Sequence, residues 1–228
     1  MNDRAWIAKR WVKYLKRAAE AAEEDLAIAI VVPSHDDPTR NAVQEACLSN
    51  KIEVFLDIVD EQVRDDSRVW NQGRYDHMAM LRNRLLDMVR LLEPKYFLSV
   101  DSDILVARDS ISQMISDLDR FDAVAGKVWL HPSHKDIVNW ANLKRGEGSG
   151  IRRKNSVGCF EVDCIMALKL MTKEAYWVDY YGHSQGEDFG WSENARAKGL
   201  KLGWDGSVPS KHIMSPQLLD QIDRRLGW

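Results

Sequence analysis

One stretch constrains the fold of this chain more than any other: an apolar segment, residues 96–100, that ends in Asp101-Ser102-Asp103. The segment follows a Glu-Pro-Lys turn signal, and its composition predicts a buried strand of a mostly parallel sheet. In open α/β sheets, ligands bind at the carboxyl ends of such strands. The sequence therefore predicts that two carboxylates lie at a ligand-binding edge.

The two carboxylates of this tripeptide repel each other, and neither is stable near a dry strand end without a counter-charge. A divalent cation supplies that charge, because Mg²⁺-like ions are commonly held by one or two carboxylates together with substrate phosphates. A solvated Asp-Ser-Asp turn is the alternative, since both residue types are common in turns. The tripeptide alone leaves both interpretations open.

Apolar runs alternate with helical patterns in the first part of the chain. Residues 26–32 and 52–59 predict strands, and a helix capped by Thr39 and ending near Asn50 is predicted between them. This order predicts right-handed crossovers, and hence an α/β fold with a mostly parallel, doubly wound (Rossmann-like) sheet flanked by helices. No Gly-x-Gly-x-x-Gly or Walker-type motif follows the first strand, which disfavours a dinucleotide-binding or P-loop fold.

Other segments predict further helices, strands and one loop. Residues 143–158 are rich in glycine and basic residues, which predicts either a lid over phosphates or a solvated connection. Helices are predicted at 4–22, 76–92, 110–118 and 186–199, strands at 123–130 and 200–204, and a strand with a short helix at 159–170. The first helix is amphipathic with a basic face, which suits either packing on the domain or an acidic partner.

Charge and cysteine content limit the partners and the location. The net charge of −3 predicts no global attraction to nucleic acid, so an anionic partner requires a local basic patch. Cys47, Cys159 and Cys164 lack metal-type spacing and cannot all pair, which favours reduced thiols in the cytoplasm. The predicted cytoplasmic location includes two further possibilities: attachment to the membrane surface, and a phage-encoded protein in the cytoplasm of the host. No apolar window reaches about 18 residues, so no transmembrane segment is predicted.

A second acidic pair, Glu187-Asp188, follows Gly186 and opens the predicted helix that Gly199 ends. The chain therefore has, in order, strand one, Asp101-Ser102-Asp103, this second acidic pair and His212. In this order it resembles the GT-A glycosyltransferases, particularly the glycosyltransferase family 2-like group. The resemblance extends from about residue 26 to 214. Its most specific part is Gly-Glu-Asp…Ala-Arg-Ala-Lys-Gly…Asp-Gly-Ser-Val…His, which is similar to the acceptor-side signature. The Leu-Arg-Asn run and the Asp-x-Asp segment also resemble fungal mannan-polymerase mannosyltransferases.

The resemblance implies a role for each matching residue. Asp103 corresponds to a direct ligand of Mn²⁺ or Mg²⁺, Asp101 to a contact with ribose or a metal-bound water, and His212 to a third protein ligand. The remaining matches are Pro33 and Ser34 under the nucleotide base, Asp60 at the base, Ser102 within the donor-binding tripeptide, Arg82 near the donor phosphates, and Asp188 with Glu187 as the source of the catalytic base. Simpler roles stay open. Arg82 could be a surface residue and His212 a packed histidine, and Glu187-Asp188 could be acids that only favour the start of a helix.

The activity that the resemblance implies is metal-dependent transfer of a sugar from a UDP- or GDP-sugar to an acceptor hydroxyl, with inversion. The chemistry agrees, because a leaving diphosphate needs cationic stabilisation and inversion needs one carboxylate to accept the hydroxyl proton. The implied organisation is a basic helix at 1–25, a GT-A catalytic domain at 26–214 and a C-terminal helix at 215–228. Its donor half covers about 26–130 and its acceptor half about 131–214. The implied acceptor is a saccharide, a glycolipid or a modified base in phage-type DNA.

Two alternatives remain. A nucleotidyltransferase has a similar sheet and metal carboxylates, but it normally carries a glycine-rich basic loop after strand one, where this chain has Ser-His-Asp-Asp. A non-catalytic module that binds nucleotide sugar or glycan would need no base. Gln-x-x-Arg-Trp does not follow the second acidic pair, which disfavours processive synthesis of the cellulose or chitin type.

Overall fold

The computed structural model describes residues 4–34, 37–59, 71–129 and 157–220. The helices are α1 (Ala5–Ala21), α2 (Pro38–Asn50), α3 (Gln72–Leu92), α4 (Ser110–Asp117), α5 (Lys173–Tyr176) and α6 (Glu187–Ala197). The strands are β1 (Ala27–Val32), β2 (Glu53–Ile58), β3 (Phe97–Val100), β4 (Ile104–Leu105), β5 (Ala123–Trp129), β6 (Cys159–Glu161), β7 (Leu168–Met171) and β8 (Leu202–His212). Residues 216–220 are also helical.

The strands form two sheets. β1 and β2 pair in parallel, and a second sheet has the order β3-β7-β5-β8-β4, with β6 on β8. Within this second sheet β5 and β8 are parallel, whereas the pairs β3–β7, β5–β7, β4–β8 and β6–β8 are antiparallel. The predicted α/β fold with a helix-flanked sheet is confirmed, but the expectation of mostly parallel pairing is wrong for the described strands. A central strand covered on both faces is apolar whichever way it runs, so composition could not distinguish the two directions.

The second sheet is covered by helices on both faces. Alternate residues of β5 separate into two cores: Val124 and Val128 join the apolar cluster that contains α1, α2 and α4, whereas Ala123 and Ala125 join the cluster that contains α3, α5 and α6. This division follows from the two-residue period of a strand. The result is a layered arrangement in which β7 and β5 are buried on both faces.

The predicted amphipathic helix at the N-terminal end is confirmed as α1. Its apolar residues Ile7, Trp11, Leu15 and Ala18 are buried, and the helix packs against α2 and α4. The backbone N–H of Arg4, at the N-cap of α1, donates to Oγ1 of Thr39 at 2.9 Å. The start of α1 is therefore fixed against the start of α2.

Several boundaries differ from the predicted ones, each for a local reason. Asp37, not Thr39, caps α2, because its Oδ1 accepts from the N–H of Thr39 at 2.7 Å. α3 starts earlier than predicted because Asn71 caps it through the N–H of Arg74. Residues 159–170 contain β6 and the start of β7, without the predicted short helix, which comes afterwards as α5.

β8 extends well beyond the predicted 200–204. The register against β5 shifts between Gly126 and Val128, so the irregular stretch around Pro209 is accommodated within one strand. The strand consequently continues to His212, which pairs with Ile104 of β4. This extension brings His212 next to the acidic tripeptide.

The three cysteines are free thiols, as predicted. In the described segments, no helix is both long and apolar enough to cross a bilayer. Residues 143–156 of the predicted basic loop, and residues 221–228 of the predicted C-terminal helix, lie outside the described residues.

Candidate active site

A large cleft lies between β1 and β3, with a cavity volume of about 1660 Å³. The middle of α3, the first turn of α6, Arg4 and His212 also line it. Small-molecule sites are commonly roughly 300–1,000 Å³, so this cleft is large enough for a small-molecule ligand. It includes the carboxyl end of β3, the edge at which the acidic tripeptide was predicted to bind a ligand.

Five charged side chains meet at one end of the cleft, and we call Arg82, Asp101, Lys169, Glu187 and Asp188 the inner cluster. Arg82 on α3 donates from Nη2 to Oδ1 of Asp101 (3.0 Å) and from Nε to Oε1 of Glu187 (3.1 Å). Its Nη2 also lies 4.0 Å from Oδ2 of Asp188. The Arg82 side chain is only 14% exposed, so the interpretation of Arg82 as a plain surface residue is wrong.

Lys169, in the middle of β7, completes the inner cluster and was not predicted from the sequence. The residue is fully buried, and its Nζ donates to Oδ1 of Asp188. The rings of Tyr180 and Trp191 lie with their centroids 4.9 Å from the same Nζ. A sequence signal does exist: a lysine inside a strand that is covered on both faces needs a buried partner. It was missed because a lone lysine also fits an outward-facing strand position.

Electrostatic partners shift the pKa values of this cluster. Burial opposes the charge on Asp188, but Lys169 and Arg82 outweigh burial and hold the pKa of Asp188 below its usual value. Burial likewise opposes the charge on Lys169, and Asp188 outweighs it and raises the lysine pKa. Asp188 and Lys169 are therefore both charged in the neutral range.

Asp101 differs from Asp188 in the direction of its shift. Loss of hydration raises the pKa of Asp101, and the charge of Arg82 works against that rise. The Asp101 side chain is 39% exposed to solvent, so water reaches the carboxylate. We expect Asp101 to remain ionised at neutral pH, since both water and the guanidinium stabilise its charged form.

The backbone of α6 holds its two acids in the first turn. Gly186, the N-cap, has φ +115°, a conformation that favours glycine. Gly190 packs so closely on the carbonyl of Tyr181 that a Cβ would lie 2.2 Å from its oxygen. Glu187 and Asp188 are thus favourably placed acids at a helix N-terminus, and they are also ion-paired members of the inner cluster.

We call Arg4, Asp103 and His212 the outer cluster. Nη2 of Arg4 lies 3.0 Å from Oδ2 of Asp103, and Nε2 of His212 lies 3.2 Å from Oδ1 of the same carboxylate. The N–H of Ile213 donates to the carbonyl of Asp103 at 2.7 Å, which fixes the end of β8 against the tripeptide. Burial opposes the charge on Asp103, but His212 and Arg4 outweigh it and lower the pKa of Asp103.

The outer cluster fits a divalent ion that completes its coordination with substrate oxygens. Asp103 supplies carboxylate oxygens and His212 an imidazole nitrogen, a ligand set that Mn²⁺ accepts. In the part of the chain that the structure describes, no group of three or more His, Cys, Asp or Glu side chains is arranged to hold an ion on its own. Asp101 is bonded to Arg82, so its predicted metal contact stays a prediction.

Of the other predicted site residues, some line the cleft and others do not. Pro33 and Ser102 line the cleft, whereas Ser34 is described but does not line it. Asp60 lies outside the described residues. The structure therefore brings together Asp101, Asp103, His212, Arg82, Glu187 and Asp188 around one cleft.

Comparison with known proteins identifies the fold. No protein-family model and no curated protein sequence matches the chain. Among solved structures, GalNAc-T7 with UDP, GalNAc and Mn²⁺ aligns with a TM-score of 0.54 and 11% identity, over 92% of this chain and 45% of that one. The 4-diphosphocytidyl-2C-methyl-D-erythritol synthase from Anaerococcus prevotii aligns with a TM-score of 0.54 and 12% identity, over 96% of this chain and 89% of that one.

A third similar structure is the inositol-1-phosphate CTP transferase from T. maritima, with a TM-score of 0.53 and 14% identity over 94% of this chain and 84% of that one. Identities this low show the fold alone. The chain has the α/β fold that GT-A glycosyltransferases and related nucleotidyltransferases share.

Proposed function

We propose that this chain is a glycosyltransferase that moves a sugar from a UDP- or GDP-sugar to an acceptor hydroxyl, with inversion and with Mn²⁺ or Mg²⁺ bound at Asp103 and His212. The observation that supports the proposal best is the pairing of two different clusters in one cleft. The outer cluster offers a carboxylate and an imidazole 3.2 Å apart. The inner cluster offers two carboxylates at the first turn of α6, and the pKa of one of them, Asp188, is held below its usual value by Lys169 and Arg82.

The chemistry divides between the two clusters. A divalent ion in the outer cluster supplies Lewis-acid stabilisation of the leaving diphosphate. Arg4, which now contacts Asp103, adds positive charge at the same end of the cleft. We assign Asp101 to the donor ribose and Arg82 to the donor phosphates, with Pro33 and Ser102 as further donor contacts.

The transfer step requires a base in the inner cluster. The acceptor oxygen forms a bond to the anomeric carbon while the bond from that carbon to the diphosphate breaks and its electron pair leaves with the diphosphate. The hydroxyl proton moves to Oδ2 of Asp188, whose other oxygen is bonded to Lys169. Glu187 holds Arg82 in place through its own ion pair.

Hydrolysis of the donor in the absence of acceptor tests the proposal. The protein is incubated with a panel of UDP- and GDP-sugars, with Mn²⁺ or with a chelator, and free nucleotide diphosphate is measured. We expect metal-dependent release from one donor, lost in Asp103→Ala and kept in the control Asp109→Ala, whose side chain is exposed beyond the cleft. No release and no donor-induced thermal stabilisation across the panel would overturn the proposal.

Nucleotidyl transfer is the second candidate, because two of the similar structures are nucleotidyltransferases. The segment after β1 argues against it, since Pro33-Ser34-His35-Asp36-Asp37-Pro38 contains neither glycine nor lysine or arginine to surround a triphosphate. A panel of nucleoside triphosphates with sugar phosphates separates the two, because nucleotidyl transfer releases pyrophosphate.

The acceptor class follows from a second measurement. We propose a saccharide or glycolipid, with a modified base in phage-type DNA as the competing acceptor. Affinity for duplex DNA that falls steeply with salt would favour DNA, because each phosphate contact adds to the salt dependence. Weak binding at all salt concentrations would favour the saccharide.

A further inference from the structure

Lys169 is an unusual residue for its position. It lies on β7, between β3 and β5, and it is fully buried. A buried charge is costly unless it is paired, and replacing a buried ion pair by apolar side chains is often neutral or stabilising. Stability alone therefore gives little reason for a lysine at this position, which points to a role in the site.

The surroundings of Lys169 direct its charge toward one group. The titratable side chains near Asp188 include Lys169 from β7, Arg82 from α3, Asp101 after β3, Glu187 on its own helix and the buried thiol of Cys164. Of these, Lys169 donates a hydrogen bond to Oδ1 of Asp188. The rings of Tyr180 and Trp191 lie next to each other, 6.0 Å apart, and each has its centroid 4.9 Å from Nζ, so the ammonium group contacts two aromatic rings as well as the carboxylate.

This contact makes the two oxygens of Asp188 different. Oδ1 is bonded to a fully buried ammonium group, whereas Oδ2 lies 4.0 Å from Nη2 of Arg82. The Asp188 side chain lines the cleft and is 14% exposed. The backbone N–H of Ala167 also donates to this carboxylate. Oδ2, the oxygen that is not bonded to the ammonium group, is the one that we assign to accept a proton from a molecule in the cleft.

We propose that Lys169 is a positioning residue for the transfer reaction: it fixes Oδ1 of Asp188 so that Oδ2 meets the proton of the acceptor hydroxyl. The inference rests on the proposed glycosyl transfer. Lys169 contacts neither donor nor acceptor, and acts only through Asp188. The lowered pKa of Asp188 keeps the carboxylate ionised at neutral pH, and it also makes the carboxylate a weaker base, so its position relative to the hydroxyl matters more.

The test uses the full chain and the UDP- or GDP-sugar that the unmodified protein hydrolyses. Lys169→Met removes the charge and Lys169→Arg keeps it. In Lys169→Met we expect kcat to fall on the order of 10²-fold, as about 1 Å of misplacement can cause, with the donor KM unchanged. Lys169→Arg should recover part of that loss. Lys173→Met, a control at an exposed lysine of the neighbouring helix, should leave kcat unchanged.

A double variant keeps the test decisive if Lys169→Met folds poorly. Lys169→Met/Asp188→Asn removes the whole buried pair, and if Lys169 acts through Asp188 its kcat should equal that of Asp188→Asn alone. Multiplied losses in the double variant would overturn the proposal, as would an unchanged kcat in Lys169→Met. A rise in donor KM at constant kcat would overturn it too. If the unmodified protein hydrolyses no donor, the glycosyltransferase proposal fails, and this inference fails with it.

Discussion

The inner and outer clusters share one cleft but hold their charges differently. In the inner cluster two cations and three carboxylates come from α3, β3, β7 and α6, and Lys169 is fully buried. In the outer cluster, Arg4 is 33% exposed at the start of α1 and contacts one oxygen of Asp103. A largely buried pair such as Lys169 and Asp188 is costly to break, whereas a cation that water reaches, such as Arg4, contributes less. The inner cluster is thus preorganised, and the outer cluster can exchange its cation.

The largest effects are expected on catalysis and donor binding, and substitutions in the two clusters should affect different kinetic steps. Asp188→Asn should lower kcat by about 10²–10⁴-fold, the usual contribution of a general base, and leave donor binding intact. Asp103→Asn should instead abolish metal-dependent donor binding, because Asp103 is one of the two residues that would hold the ion, and the ion would supply positive charge for the diphosphate. Donor-induced thermal shifts with and without Mn²⁺, measured beside steady-state rates, check both. Loss of donor binding in Asp188→Asn would contradict the division of roles.

Stability should separate the clusters next. Lys169→Met leaves Asp188 buried without its main cation, and breaking such a pair costs about 3–5 kcal/mol of the free energy of unfolding. The double variant Lys169→Met/Asp188→Asn should recover most of that loss, because no unpaired charge is left. Urea denaturation of the three proteins measures this. A double variant less stable than Lys169→Met would show that the pair is not the source of the cost.

Acid should weaken the inner cluster through Asp188. Its pKa is lower in the folded protein than in the unfolded chain, so the unfolded state binds the proton first as pH falls. The stability from this group is therefore fully present above the unfolded value, about 3.9, and is lost as pH falls through the lower folded value. Denaturation midpoints between neutral and strongly acidic pH should fall less steeply in Asp188→Asn. Equal slopes would contradict the assignment.

The smallest effect is expected in the outer cluster. Arg4→Ala should lower stability by only about 0.2–1 kcal/mol, because the Arg4–Asp103 pair is partly open to solvent, with the Arg4 side chain 33% exposed. The same substitution removes a competing cation from Asp103, so Mn²⁺ should bind about 1.4- to 5-fold more tightly. Calorimetric titration with Mn²⁺ measures this, with Lys9→Ala, an exposed residue of the same helix, as the control. Weaker Mn²⁺ binding in Arg4→Ala would show that Arg4 supports the ion rather than competes with it.

The parts of this site that could be predicted from sequence are those that a local pattern encodes. Asp101 and Asp103 follow an apolar run, and Glu187 and Asp188 stand between a glycine and a helix, so both pairs could be located without coordinates. Arg82 was identified by its position on a predicted helix, and the structure places it against both acidic segments.

The remaining features depend on contacts between distant segments. Arg4 appeared as one of several bases on an amphipathic helix, and nothing nearby in the sequence indicates a contact 99 residues away. Lys169 alternates with Leu168 and Leu170, a pattern that an exposed strand face also shows. The length of β8 depends on a register shift against β5, which no local pattern indicates. The family resemblance implied that His212 lies near Asp103, but the strand that brings the two together was not predicted.

The buried pair of Lys169 and Asp188 also constrains how this chain can change over evolutionary time. Loss of either residue alone leaves an unpaired charge in the interior and destabilises the protein. Because lost stability lowers the amount of folded protein in the cell, a single substitution is disfavoured until the other residue changes as well. Descendants of the same ancestor are expected to carry both residues or neither. A lineage that replaced both would keep its fold and lose the proposed base, so that under the proposed function it would bind the donor without transferring the sugar.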